Sequence, residues 1–254
     1  MIKITGDFHT HTQFSHGKGT VELNAKAALE SGILSLAYTD HGLGNLLGGL
    51  RNVEIADAKA KVELVRKKYP QLTIYFGIEA NIMSQDGTID IPPQHEATFE
   101  VVILGFHACV SSIDFNTLRT FVWRNFRQKH DKHLAQLIEM NTSAIIASMR
   151  RYRIDALAHL SINMPVDVYK VALVAAETDT CIEINNKHMS LSAEQLLLCQ
   201  SAGTNFLINS DAHNPNNVGR PYEAIALAEQ AGLNPERILN AGNNIYIPKR
   251  LRKS

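Results

Sequence analysis

Short apolar runs recur along the chain, and most stop on a histidine, a glutamate or an aspartate. Residues 2–4, 33–38 (ILSLAY), 72–76 (LTIYF), 101–104 (VVIL), 156–158, 180–184 (TCIEI) and 205–208 (NFLI) each read as a buried strand. Between them lie longer stretches with helical spacing. Residues 20–31 read as a helix that Thr20 caps and Gly32 follows. A helix over 53–68 closes before Pro70, two helices fill 115–153, and another covers 166–178. Ser192 with Gln195 three residues on forms a capping box for a helix that Gly203 ends. Two short helices, 221–231 and 235–241, precede a terminal strand at 245–247 and a basic tail. Asp86-Gly87, between Ile82 and Ile89-Asp90-Ile91, signals a small hairpin.

Strand and helix alternate with no break in composition, so the 254 residues read as one domain built on a parallel sheet. Parallel α/β folds place their sites at the C-terminal ends of the strands. An open sheet gathers residues only at its switch point. Here His9, His41, Glu79, His107, His159 and Asp211 come from six strand ends. Only a closed ring brings so many together, which favours a barrel of seven strands.

The stretch 6–16 (GDFHTHTQFSH) carries the first chemistry. His9 and His11 are two apart, so on an extended backbone they point the same way and chelate a divalent metal. The full candidate set is His9, His11, His16, His41, Glu79, His107, His159, Asp211 and His213. A lone strand-end histidine is more often structural. Nine such groups at one end of a barrel would repel one another when charged and lack donors when neutral, unless a shared cation holds them. Nine ligands exceed one tetrahedral site and fit two or three metals with a carboxylate between them.

Composition narrows the classes. The chain is 45% hydrophobic, enough for a sizeable core, and its formal net charge is +0, which argues against a wholly basic nucleic-acid binder. The 3 cysteines, Cys109, Cys181 and Cys199, form no CxxC and read as buried or reduced thiols of a cytoplasmic protein. No signal peptide precedes the first strand, and no apolar run is long enough to span a bilayer.

In this order the segments HTHT…H, TDHG, GIEANI, GFH, AHLS, EINN and NSDAH resemble the PHP (polymerase and histidinol phosphatase) superfamily, from residue 7 to about 219. GIEANI with DG.ID, EINN and ERILN is similar to the standalone YcdX-type phosphatases. The resemblance implies a distorted (β/α)7 barrel and a site for three divalent metal ions. By matching motif, the first would take His9, His11, Glu79 and Asp211. The second would share Glu79 and add His107 and His159, and the third would take His16, His41 and His213. Imidazole suits Zn, Fe and Mn, with Zn the first expectation. Two departures stand out. Leu160 follows His159 where the family often has proline, and 115–153 is longer than in compact members, a candidate wall over the pocket.

Three divalent ions against two carboxylates leave about four positive charges, which suits a phosphate. Metal binding also brings water toward neutral pKa. The reading is a metal-dependent phosphatase that hydrolyses small phosphate monoesters through a metal-bridging hydroxide, histidinol phosphate being one substrate that the resemblance suggests. Asp40 is a candidate to protonate the leaving group, alongside a metal-bound water, and Arg220 is the best phosphate-binding arginine, with a surface ion pair as its alternative. The rivals are a phosphodiesterase or exonuclease and a non-catalytic metal-binding module. The partner is then a small phosphorylated molecule rather than nucleic acid or membrane, with oligomeric state open. His95, His130 and His133 read as surface residues, and His188 as either surface or pocket. Arg119, Arg124, Arg127, Lys129 and Lys132 read as a solvated basic face whose Phe121, Trp123 and Phe126 pack inward.

Overall fold

The structure, a computed structural model, describes residues 2–111 and 114–252. Seven parallel strands form one sheet in sequence order: β1 (Gly6–Asp7), β2 (Ser35–Tyr38), β3 (Thr73–Asn81), β4 (Val101–Gly105), β5 (Ala156–Leu157), β6 (Cys181–Asn185) and β7 (Phe206–Asn209). Strand order equal to chain order, with each neighbour parallel, is the wrapping of a barrel. Beyond the strand ends, Thr10 pairs with Ala212 in parallel, and the His11 amide donates to the Ala212 carbonyl at 2.9 Å. That bridge draws the first and last strands together into a distorted (β/α)7 barrel. No helix among the described residues is long and apolar enough to cross a membrane.

The helices form the outer ring: α1 (Val21–Ser31), α2 (Ile55–Lys68), α3 (Phe115–Thr117), α4 (Trp123–Phe126), α5 (Leu134–Arg151), α6 (Val168–Glu177), α7 (Ala193–Ser201) and α8 (Tyr222–Ala231). The predicted caps are present. Thr20 accepts from the Leu23 amide, and Ser192 and Gln195 bond reciprocally across the first turn of α7.

Two apolar layers separate the roles of alternate strand positions. Val102, Leu104, Ile182, Ile184, Phe206 and Ile208 pack outward against the helices. Ala37, Tyr75, Val101, Ile103, Ala156, Cys181 and Leu207 cluster with Phe8 and Tyr246 inside the barrel. Because side chains alternate, the inward set continues toward the C-terminal ends as Thr39 and His41, Glu79 and Asn81, Glu183 and Asn185, Asn209 and Asp211. An apolar plug therefore fills the lower barrel, and polar chemistry sits on top of it.

Five expectations are corrected. Residues 2–4 are not the first strand. Ile4 makes an antiparallel bridge to Ala241, and β1 follows it. The terminal stretch 245–247 forms no strand; Tyr246 instead turns under the barrel against Phe8, ring centroids 5.1 Å apart. The first helix of 115–153 is broken into α3, a π-helical turn over Leu118–Val122, and α4. Phe121 is buried against Phe106 as expected, but Trp123 and Phe126 are 51% and 60% exposed and stack on each other. Residues 235–241 hold only a single turn, Pro235–Arg237.

Candidate metal centre

All nine expected residues meet at the C-terminal end of the barrel. His9 Nε2 and His11 Nε2 lie 3.1 Å apart, and Asp211 Oδ1 is 3.3 Å from His11 Nε2. Glu79 stands in the middle with each oxygen facing a different group. Its Oε1 is 2.8 Å from His159 Nε2 and 3.5 Å from His107 Nε2. Its Oε2 is 2.6 Å from His41 Nδ1, 3.5 Å from His9 Nε2 and 3.7 Å from His11 Nε2. That is the placement a bridging carboxylate needs. His16 and His213 complete the ring, their Nε2 atoms 2.8 Å apart.

Three sets of donor atoms lie within 4.8 Å of one another: His9, His11 and Asp211; His41, Glu79 and His107; His11, His41 and His213. The grouping differs in part from the motif-based one: His41 stands with Glu79 and His107 as well as with His213, and His11 stands with His41 and His213 as well as with His9 and Asp211.

Charge explains why the cluster asks for cations. Among the described residues, seven buried side-chain atoms lack a hydrogen-bond partner, and five belong to this set: His11 Nδ1, His41 Nδ1, Glu79 Oε2, His159 Nδ1 and Asp211 Oδ1. Orphaned buried polar atoms are costly, and three of the five, His41 Nδ1, Glu79 Oε2 and Asp211 Oδ1, face other groups of the cluster. Burial pushes the Glu79 carboxyl up, but His107, His41 and His9 outweigh it and hold the group well below the usual carboxylate range. Asp211 behaves likewise under His9, His11 and His213. Burial drives His107 down to about 3 and His16 to about 4, so their neutral, ligating forms prevail. Zinc bonds of about 2.0–2.1 Å put neighbouring ligand atoms roughly 3.3 Å apart, close to the spacings observed, and the imidazole–carboxylate donor set suits Zn, Mn or Fe. The residues present fit divalent metals.

Local backbone supports this packing. His159 and Asp211 take positive φ of 31° and 52°, a sparsely populated region for such residues that aims both side chains back over the barrel mouth. Gly105 ends β4 beneath them. A Cβ there would lie 2.8 Å from the His159 ring and 3.2 Å from Glu79 Oε1.

Asp40 and Arg220 are not where the sequence suggested. The Asp40 carboxylate accepts from the Thr12 amide and hydroxyl, both at 2.6 Å, and from the Ser15 hydroxyl at 2.5 Å. It anchors the loop that carries His16 and is not among the residues that line the site cavity. Arg220 donates to the Asn216 carbonyl at 2.5 Å and is likewise absent from the cavity wall. The cation that does line the cavity is Lys187, its Nζ 3.1 Å from His213 Nδ1 and 3.7 Å from Asp211 Oδ1. His188 lines it too. The cavity holds about 300 Å³, and no residue of 115–153 forms part of its wall, so that segment is not the expected wall over the pocket.

Two further carboxylates are missing from the candidate set. Glu183 accepts His9 Nδ1–H at 2.8 Å, the His159 amide at 2.8 Å, and the side-chain amides of Asn185 and Asn209 at 2.8 and 3.0 Å. It fixes His9 with Nε2 toward the centre, the outer-shell role that orients metal-binding imidazoles. The signal was a glutamate inside CIEIN, a strand buried on both faces. Asp7 accepts from the Ser210 amide and hydroxyl and the Gly219 amide, tying β1 to the Asp211 loop.

Comparison with known proteins agrees with the fold. The sequence model of the PHP domain matches residues 7–187. A probable phosphatase of Thermoanaerobacter sp. (strain X514) is 29% identical over 249 residues, covering 94% of this chain and 91% of the relative. A putative histidinol phosphatase from Listeria monocytogenes superposes with a TM-score of 0.66 at 17% identity, covering 85% of this chain and 98% of that one. The histidinol phosphate phosphatase of Lactococcus lactis, solved with zinc, L-histidinol and phosphate, gives a TM-score of 0.61 at 14% identity over 91% and 94% of the two chains.

Proposed function

The chain belongs to the PHP domain family and is a metal-dependent phosphoric ester hydrolase; we propose that it hydrolyses small phosphate monoesters in the cavity above Glu79. The observation that carries this is the meeting of nine ligating groups, five of them with buried atoms that lack a hydrogen-bond partner, beneath a 300 Å³ cavity whose wall includes His16, His41, His107, His159, Asp211 and His213. That volume is at the small end for ligand sites and suits a compact metabolite such as histidinol phosphate. The proposed holders of three ions are His9, His11, His16, His41, Glu79, His107, His159, Asp211 and His213, with Glu79 shared. When bound, the ions supply positive charge for the phosphate oxygens and a water acidified toward neutrality.

The chain's own residues do the rest. Glu183 keeps His9 in the tautomer that offers Nε2. Lys187 brings an ammonium to the cavity wall, where it can pair with a phosphate oxygen of the substrate. His188 stands beside it as the cavity-facing imidazole outside the ligand set. The loop held by Asp40 keeps His16 over the opening.

A phosphodiesterase or exonuclease reading has one observation in its favour: the exposed Trp123–Phe126 stack with the Arg127 guanidinium 5.9 Å from the indole centroid, a platform that bases could stack on. It lies outside the cavity wall. A monoester dianion offers three terminal oxygens to a strongly positive pocket, whereas a diester offers fewer and one charge. The purified protein should therefore cleave a nitrophenyl phosphate at least about tenfold faster than the bis-ester, about 1.4 kcal/mol at the barrier. The comparison is made at matched concentration with Zn and with Mn, and single-stranded DNA is a third substrate. A faster diester or DNA reaction under either metal would replace the phosphatase reading with the nuclease one.

A further inference from the structure

The small hairpin after β3 carries a carboxylate that the catalytic reading leaves without a role. Asp90 Oδ1 accepts the Asn81 amide at 2.8 Å, and Asp90 Oδ2 accepts both the Asn81 side-chain Nδ2 at 2.9 Å and the Gly44 amide at 2.9 Å. Asn81 Oδ1 in turn lies 2.6 Å from His107 Nδ1. We infer that Asp90 is a positioning residue that acts through Asn81 to set the tautomer and ring orientation of His107, and through Gly44 to seat the loop that follows His41.

The chemistry is directional. A carboxylate accepts and does not donate, so it takes the NH₂ end of the Asn81 amide. The amide oxygen is then forced toward His107. An oxygen at that distance requires the proton on His107 Nδ1, which leaves the Nε2 lone pair free on the side of Glu79 Oε1, 3.5 Å away. Without the carboxylate nothing on the hairpin distinguishes the two ends of the Asn81 amide. A flipped amide would face His107 with a donor, favouring the opposite tautomer and withdrawing the ligand. Outer-shell partners of this kind typically change metal affinity 10–100-fold.

The same carboxylate shapes the neighbouring loop. A Cβ on Gly42 would fall 2.3 to 2.6 Å from the Asp90 carboxyl atoms, so the chain passes there only as glycine. The Gly42 amide donates to the Glu79 carbonyl at 2.8 Å, and the Leu50 amide to the His41 carbonyl at 2.8 Å. One side chain from the hairpin thus steadies two ligand-bearing segments from opposite sides.

The inference rests on the cluster holding metal and not on which phosphate ester is cleaved. Its test uses the zinc-loaded full chain. In Asp90→Asn the amide can turn, so competition with a graded chelator should show one ion bound about 10–100-fold more weakly and the others changed less than about twofold. Proton NMR of the loaded protein should show the exchange-protected His107 Nδ1–H resonance shift and lose protection. The exchanged pair, N81D together with D90N, puts a carboxylate directly on His107 Nδ1 and should restore both readouts. This second variant keeps the test open if the single one folds poorly. Unchanged ion affinities, or an unmoved His107 resonance in the folded variant, would overturn the relay. Wild-type protein that takes up no zinc would instead overturn the metal reading beneath it.

Discussion

The two ends of the barrel solve opposite problems. At the base, Asp155 is buried and completely matched. It accepts from the Val102 amide at 2.9 Å, the Tyr246 hydroxyl at 2.8 Å and the Lys249 amide at 2.8 Å. Lys249 Nζ donates to the Thr178 carbonyl and the Thr180 hydroxyl, both at 2.9 Å. At the mouth, five buried side-chain atoms of the candidate ligand set lack a hydrogen-bond partner. A saturated network closes a fold by itself. An unsaturated one, assembled from six strand ends, is complete only with something the chain does not supply. Polar burial at the base therefore serves stability, and at the mouth it serves binding. Substitutions at the two ends should separate these properties.

The largest effect belongs to Glu79, whose two oxygens face two different ligand groups. Glu79→Gln keeps the shape and removes the charge. Turnover of a phosphate monoester should fall at least about a thousandfold, roughly 4 kcal/mol at the barrier. Elemental analysis should show fewer ions per chain than in wild type, and zinc should raise the melting temperature less than it does in wild type. Near-normal turnover with full loading would end the bridging assignment.

Next comes the base. Asp155→Ala strands three donors, two of them buried, and it should cost about 3 kcal/mol of stability, roughly 6–12 °C in melting temperature for a chain of this size. Metal content and kcat measured well below melting should match wild type. Loss of metal without loss of stability would contradict the division between the two ends.

Lys187 belongs to the mouth but not to the ligand set. Lys187→Met should raise KM for a small phosphate monoester about tenfold, about 1.4 kcal/mol, while leaving metal content unchanged. Arg220→Met should change KM less than twofold, since that guanidinium is bonded to the Asn216 carbonyl. The reverse order would return the phosphate contact to Arg220.

These contrasts also show what could be read from the chain. The nine candidate ligands were legible because all but His16 stand at or just past the end of an apolar run, and a barrel gathers strand ends. Asp40 and Asp211 show where that reasoning stops. Both follow a strand and precede a histidine, in TDH and SDAH. Only Asp211 takes a positive φ, which brings its carboxylate to His11, whereas Asp40 meets Thr12 and Ser15. That difference lies in backbone geometry set by partners distant in sequence. Glu183, Asp90 and Lys187 were missed for the same reason, since their partners lie up to 174 residues away. The terminal segment was misread because a short apolar run such as Ile245-Tyr246-Ile247 suits a strand and a plug alike.

The smallest predicted effect probes the base most finely. Tyr246→Phe keeps the ring against Phe8, where the two planes meet at 82°, and deletes only the hydroxyl that donates to Asp155 Oδ1. The Lys249 amide still donates to that oxygen and the Val102 amide to the other. One hydrogen bond to a partly compensated carboxylate is worth about 1 kcal/mol, or 2–4 °C in melting temperature. The pH dependence gives the sign. Burial raises the Asp155 carboxyl above its ordinary value, and its hydrogen bonds, that of Tyr246 among them, pull it back. The folded chain therefore holds this proton more tightly than the unfolded one, so this group's contribution to stability falls as pH rises from the unfolded carboxyl value through the folded one. Removing the hydroxyl raises the folded value further and carries that fall to higher pH. The wild-type advantage over Tyr246→Phe should then be full above the folded carboxyl value, where Asp155 is ionised, and shrink as acid protonates it. Urea melts of the two proteins across that range measure the difference directly. An advantage that stays constant or grows in acid would mean the hydroxyl acts through packing and not through the Asp155 charge.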